Sequence, residues 1–332
     1  MRRLPVSARA LVGIALAIGG PPLAARMAPA HAPALDPDAP PAVVRTASDA
    51  DQRVTIPISI GGKGPWNFII DTGSQRTVIA RDLAQQLALP PRATVTILSM
   101  TGRSEAQTVA LPRLGFGGNM VDDIEAPVLE GEHLGASGLL GLDSLHAKRV
   151  TLNFRTGRME IASSGRRNLS VDPDTIVVQA RRKRGQLILL DSDVNGMQVA
   201  IMLDTGTHFS IGNLALRDRL IAKKRAPNML DASLISVTGG TLTGQVGRIK
   251  SVRMGRVNLI DVPILFADAS PFRELGMEDK PALLLGISAL RIFDRVAIDF
   301  GRGKVDFLLP DASVPEKARF AANDQGKGPP AP

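Results

Sequence analysis

Phe68-Ile69-Ile70-Asp71-Thr72-Gly73-Ser74 and Ile201-Met202-Leu203-Asp204-Thr205-Gly206-Thr207 are one pattern written twice: three apolar residues, Asp-Thr-Gly, then a hydroxyl. A carboxylate that follows an apolar run and opens a glycine turn stands at the end of a buried strand, where desolvation perturbs its pKa. Two such carboxylates, one from each half of a duplicated chain, can meet across a pseudo-twofold axis and share a proton. That arrangement runs acid/base chemistry on water without a metal or cofactor, and neither is expected here.

The repeat extends outward from both motifs. Gln52-Arg53-Val54-Thr55-Ile56 leads through Gly61-Gly62 to Asp71, and Gln186-Leu187-Ile188-Leu189-Leu190 leads through Asn195-Gly196 to Asp204. Beyond them, Met100-Thr101-Gly102 pairs with Val237-Thr238-Gly239, and Ala126-Pro127-Val128-Leu129 with Val262-Pro263-Ile264-Leu265. Gly138-Leu139-Leu140-Gly141 matches Leu283-Leu284-Leu285-Gly286, and Val150-Thr151-Leu152-Asn153-Phe154 matches Val296-Ala297-Ile298-Asp299-Phe300. The shared order divides the chain into a lobe over 51–162, a connector over 163–174 and a lobe over 175–309. Short apolar runs separated by Gly and Pro turns favour a mostly β fold. Leu83–Leu87 and Leu214–Leu220 have helical spacing, which gives one short helix per lobe.

The N-terminus has the features of an export signal. Arg2 and Arg3 precede an apolar stretch from Ala8 to Ile18, followed by small residues through Ala32. A signal peptide over 1–32 places the mature protein outside the cytoplasm, in a bacterial periplasm, with an uncleaved anchor as the alternative. The apolar stretch is too short to span a bilayer comfortably, so no stable membrane insertion is expected after its removal. Residues 33–50, rich in Pro, Ala and Asp, read as a linker, and 310–332 as a disordered tail. The formal charge is +8; residues 1–32 hold Arg2, Arg3, Arg9 and Arg26 and no acids, so removing them leaves +8 − 4 = +4. The run Arg181-Arg182-Lys183-Arg184 has no aromatic companions and reads as a solvated hairpin rather than a nucleic-acid site. Cysteine is absent, which excludes disulfides, thiol catalysis and thiolate metal sites.

With both motifs in view, the chain resembles the aspartic protease superfamily of pepsins and retropepsins. In that family each lobe contributes an apolar-apolar-Asp-Thr/Ser-Gly loop and a later apolar-apolar-Gly segment, matched here by Leu139-Leu140-Gly141 and Leu284-Leu285-Gly286. The resemblance covers about residues 52–309, and the similarity of the halves is closest to bacterial proteins with two fused retropepsin-like domains. It implies a bilobal fold of two homologous β-barrel-like lobes with the active site at their interface, complete in a monomer. It also implies that Asp71 and Asp204 form a catalytic dyad holding the attacking water. Thr72 and Thr205 would bond to the opposite lobe's backbone, Gly73 and Gly206 would allow close approach, and Ser74 and Thr207 would donate hydroxyls to the carboxylates, favouring acidic pH.

The resemblance further implies flaps at Met100, Thr101 and Gly102 and at Thr238 and Gly239, closing over an extended peptide or protein substrate. The chain has no Tyr, so the flap tyrosine of pepsins is missing and Met100 or Thr101 is expected in its place. The function expected is exported aspartic endopeptidase. The rival from another class is a peptide-binding module that keeps the fold without hydrolysis; the presence of both aspartates favours the enzyme. Trp66 is read as a packing residue, and His208 and Arg76 as surface-facing neighbours of the motifs. For export, the expected outcome is a mature N-terminus near residues 26–33 in protein from fractionated cells, read by N-terminal sequencing; intact Met1 in the cytosol would refute it.

Overall fold

The computed structural model describes residues 41–145, 148–164, 174–183 and 185–310, with the backbone alone of 11–12 and 16–18. In the first lobe, Val54–Ile60 and Lys63–Ile70 form a hairpin with Thr55 opposite Ile69 and Ile56 opposite Phe68. Its turn residues Gly61 and Gly62 sit at φ 57° and 78°, left-handed backbone that a Cβ disfavours. Phe68, Ile69 and Ile70 are wholly buried, so the strand carries the following Asp71 into the interior. Gly138–Leu140 lies parallel to this strand and antiparallel to Val78–Ala80, which in turn runs parallel to Ile124–Leu129. Ile124–Leu129 pairs with Gly102–Leu111, and that strand with Pro91–Ser99.

The second lobe repeats this order. Ala200–Asp204 is antiparallel to Gln186–Leu189 and parallel to Ala282–Gly286. Ala282–Gly286 is antiparallel to Ser210–Gly212, which runs parallel to Val257–Ala267. Thr241–Met254 and then Met229–Ser236 complete the series. Each aspartate therefore ends a strand flanked on both sides, and each lobe projects one long hairpin.

A sheet built from both lobes holds them together. Its strands run in the order Thr175–Lys183, Lys304–Leu308, Arg295–Asp299, Lys148–Asn153, Arg158–Ser163 and Ala42–Arg45. At its centre Val150 faces Ile298, Thr151 faces Ala297 and Leu152 faces Val296. The two segments that close the repeats in sequence are thus antiparallel neighbours about the pseudo-twofold axis. Val150, Leu152, Val296, Ile298 and Phe307 are buried on this sheet, each contributing about 1.5–3 kcal/mol of apolar burial. Among the described residues no helix is long and apolar enough to cross a membrane.

Several sequence expectations change. Residues 33–50 are not all linker: Ala42–Arg45 pairs with Arg158–Ile161 and Ala47–Ser48 with Val54–Thr55, because Val43 and Val44 supply a β-branched pair. Residues 33–40 lie outside the described residues, as do 165–173 of the connector and 311–332 of the tail. The signal segment 1–32 also lies outside, except that Leu11–Val12 pairs in parallel with Ile235–Ser236 and Leu16–Ile18 antiparallel with Thr96–Leu98. Arg81–Gln86 and Leu214–Ala222 are the expected helices, but each lobe carries two more short ones. These are Gly131–Leu134 and Leu142–Leu145 in the first lobe, and Ser270–Glu274 and Ile287–Leu290 in the second. A single turn is too short to show apolar periodicity. Arg181–Lys183 end the strand of a hairpin with Gln186–Leu189, and the guanidinium of Arg182 donates to Phe300 O.

Candidate active site

The two Asp-Thr-Gly loops meet at the lobe interface with Asp71 and Asp204 both fully buried. Asp71 Oδ1 accepts from the backbone N–H groups of Gly73 at 2.8 Å and Ser74 at 2.9 Å, and Asp204 Oδ1 from Gly206 at 2.9 Å. The remaining oxygens, Asp71 Oδ2 and Asp204 Oδ2, are buried and accept no hydrogen bond from any described residue. Each aspartate thus has one oxygen fixed by its own turn and one available for exchange of a proton.

The loops are locked reciprocally. Thr72 Oγ1 donates to Leu203 O at 3.0 Å and accepts from Thr205 N at 3.1 Å; Thr205 Oγ1 donates to Ile70 O at 2.6 Å and accepts from Thr72 N at 3.1 Å. Every one of these bonds crosses between lobes. The glycines permit the approach. A Cβ on Gly73 would lie 2.7 Å from Asp204 Cγ, and one on Gly206 would run into the Asp71 carboxyl. Each aspartate therefore rests against the other lobe's glycine, and only glycine fits there.

The apolar-apolar-Gly segments stand behind the loops. Asp71 N donates to Leu140 O at 3.1 Å, Leu142 N to Ser74 O at 2.9 Å and Ile287 N to Thr207 O at 2.8 Å. A Cβ on Gly286 would come within 2.5 Å of Phe209 O, and one on Gly141 would strike the Arg76 carbonyl. In the first lobe Asp143 adds a half-buried brace, accepting from Thr77 N at 2.8 Å and Thr77 Oγ1 at 2.7 Å; nothing in its sequence context distinguished it. The hydroxyls after the glycines behave otherwise than expected. Ser74 Oγ donates to Arg76 O at 2.7 Å and Thr207 Oγ1 to Phe209 O at 3.2 Å, so their protons go to main-chain carbonyls. The backbone N–H groups of Gly73, Ser74 and Gly206 donate to the carboxylates.

Burial pushes Asp71 up, opposed by the Gly73 and Ser74 N–H groups and by the positive charge of Arg53. Burial pushes Asp204 well up, and the negative charge of Asp71 adds to it, opposed by the Gly206 and Thr207 N–H groups. Both carboxyls are thus pushed above the ordinary carboxylate range, and the positive charge of Arg53 acts on Asp71. His208 is half-buried, its Nδ1 buried without a described partner, and burial lowers its pKa against the opposing pull of Asp51. Arg76 is likewise half-buried, so neither residue is simply surface-facing. Trp66 packs on the apolar core, as expected.

Two functional neighbours escaped the sequence reading. Continuing the ladder from Thr55 opposite Ile69 sets Arg53 opposite Asp71, and continuing from Ile188 opposite Met202 sets Gln186 opposite Asp204. The repeat alignment that matched Gln52 with Gln186 is thus one residue out, and Arg53 is the true counterpart of Gln186. The available signal was an arginine directly before an apolar strand, at the position that the register of each hairpin sets opposite an aspartate.

The flap residues occupy hairpin tips, and both tips reach the opposite lobe or tip. Met100 is fully buried in an apolar cluster of the second lobe with Leu234, Phe272, Leu275 and Met277, and its carbonyl accepts from Ser270 N at 3.0 Å. Its side chain is therefore anchored in the second lobe and does not take the place of a flap tyrosine over the cleft. Thr101 lies against Gly240, Gly239 against His133, and Thr238 Oγ1 donates to Ser99 Oγ at 2.9 Å. Just past Gly102, Arg103 pairs with Glu274 at 2.6 Å.

A family model described as aspartyl protease matches the chain twice, over residues 56–144 and 190–289. Each match includes one Asp-Thr-Gly loop and its supporting apolar-apolar-Gly segment. No curated protein matches the chain.

The dyad's burial makes stability pH-dependent with a definite sign. Asp204 has a folded-state pKa above its ordinary 3.8, so its contribution is fully present below 3.8 and is lost as pH rises through the folded value. Asp204→Asn removes that loss. In urea unfolding over a pH series, the wild type should lose about 1.4 kcal/mol per unit of upward shift relative to the mutant, and the mutant should be the more stable near neutrality. Parallel profiles would refute the assignment.

Proposed function

Because the chain belongs to the aspartyl protease family, as two fused retropepsin-like domains, we propose that it is an aspartic endopeptidase using Asp71 and Asp204 as its catalytic pair. The observation that carries this reading is the threonine lock, which brings two buried carboxyls together with one oxygen of each available for proton exchange. In the singly protonated pair, ionised Asp71 takes a proton from water as its oxygen bonds to the peptide carbonyl carbon. The carbonyl oxygen receives the Asp204 proton, giving a gem-diol. The C–N bond then breaks as the amide nitrogen takes the proton held by Asp71, and a gem-diol hydroxyl returns a proton to Asp204. One water is consumed and the dyad ends as it began.

An extended peptide is the substrate form that the two hairpins suit. The edges of Pro91–Ser99 and Met229–Ser236 accept added strands, as the pairing of residues 16–18 and 11–12 with them illustrates, and main-chain bonding of that kind recognises extended segments. The features of residues 1–32 support export, after which both edges would be left open to substrate. Met100 and Arg103 must leave their second-lobe partners for a substrate to enter, a lid motion of the sort that commonly gates such clefts.

Asp71→Asn and Asp204→Asn are each expected to abolish cleavage of a peptide library by the purified protein while leaving the far-UV circular dichroism unchanged. A pepstatin-like transition-state mimic should inhibit the wild type, and chelators should have no effect. Full activity in either mutant would overturn the dyad. Tight peptide binding without hydrolysis in the wild type would favour the binding-module alternative.

A further inference from the structure

Around the near-symmetric dyad, the equivalent residues Arg53 and Gln186 differ in charge. Arg53 is wholly buried and its Nη1 donates to Gly206 O at 3.4 Å, while Gln186 Nε2 donates to Gly73 O at 2.7 Å. The two residues hold the same place in the ladder of each lobe, and each reaches across the axis to the glycine carbonyl of the opposite loop. Gly206 lies against the Asp71 carboxyl and Gly73 against that of Asp204. The guanidinium therefore sits on the Asp71 side, and a neutral amide takes the corresponding place on the Asp204 side. Arg53 is held by Leu134 O at 2.5 Å and by an ion pair with Asp49 at 2.6 Å, with Asp51 at 3.9 Å.

We propose that Arg53 is a positioning residue that assigns the shared proton: a fixed buried cation makes Asp71 the charged member and leaves the proton on Asp204. The inference rests on the aspartic-protease reading for its catalytic meaning, since it makes Asp71 the base toward water and Asp204 the acid toward the carbonyl. A pair related by true symmetry has no such preference and must choose when substrate arrives. The other charges around this site are Asp49 and Asp51 beside the guanidinium, His208 against Asp51, and Arg291, which donates to Gln52 O at 2.5 Å and 3.0 Å. Asp143 stands on the far side, behind Thr77. Asp49 partly offsets the field of Arg53, so removing either should move the Asp71 ionisation, in opposite directions.

The test is titration of the full-length protein labelled with aspartate 13Cγ, followed by NMR and assigned with Asp71→Asn and Asp204→Asn. Arg53→Gln, which copies the second lobe, should raise the lower of the two dyad ionisations by on the order of one pH unit. Asp49→Asn should lower it, and Arg53→Lys should leave it near the wild-type position. The double exchange Arg53→Gln with Gln186→Arg should transfer the lower ionisation to Asp204. Shifts of one sign in both Arg53→Gln and Asp49→Asn, or none, would overturn the proposal. If Arg53→Gln does not fold, Asp49→Asn alone decides it by the sign of its shift. Because the titration needs no turnover, an absence of peptidase activity would count against the proposed function and not against this assignment.

Discussion

Four hydrogen bonds, made by the hydroxyls and N–H groups of Thr72 and Thr205 across the lobe interface, are the interaction on which the site depends. They satisfy the backbone of two strand ends that are buried against each other. A buried carbonyl left unpaired costs about 1–3 kcal/mol, so Ile70 O and Leu203 O would be unfavourable there without the threonine donors. Once the loops are fixed, the two carboxyls have no freedom to separate. Burial then forces them to share charge, because two ionised carboxylates in contact and out of water repel strongly.

The remainder of the fold maintains that contact. The sheet joining Lys148–Asn153 to Arg295–Asp299 sets the axis, and the parallel strands Gly138–Leu140 and Ala282–Gly286 brace each loop from behind. The long hairpins reach over the interface and dock on the opposite side, through Met100 in one and Gly239 in the other. Within this near-symmetric frame the charge is not symmetric. Arg53 and Gln186 share a position and a task, holding a glycine carbonyl, yet only one brings a charge, and that difference gives the two aspartates distinct roles in the proposed hydrolysis.

Much of this was legible in the sequence because the repeat displays each landmark twice. The loops, the apolar-apolar-Gly braces, the helices after each loop and the closing strands all announce themselves by type and spacing. What escaped depends on three-dimensional register or on choices between partners. Ladder geometry, not composition, sets Arg53 opposite Asp71, and matching the two glutamines displaced the alignment by one residue. Ser74 and Thr207 have hydroxyls beside carboxylates in sequence, but the tight turn aims them at the Arg76 and Phe209 carbonyls. The flap-tip position of Met100 is legible, but an apolar pocket built by Phe272, Leu275 and Met277, far along the chain, draws its side chain into the second lobe. Val43 and Val44 were masked by the Pro-rich stretch before them, and the strand they form needs Arg158–Ile161 as partner.

The central claim is that two buried aspartates from opposite lobes hold one proton between them, on Asp204. Infrared spectroscopy of protein labelled with 13C-aspartate measures this directly at about pH 8, above the value of about 7 to which burial pushes Asp71. The account predicts a protonated carboxyl band in the wild type that disappears in Asp204→Asn. A wild-type spectrum identical in that region to that of Asp204→Asn would contradict it.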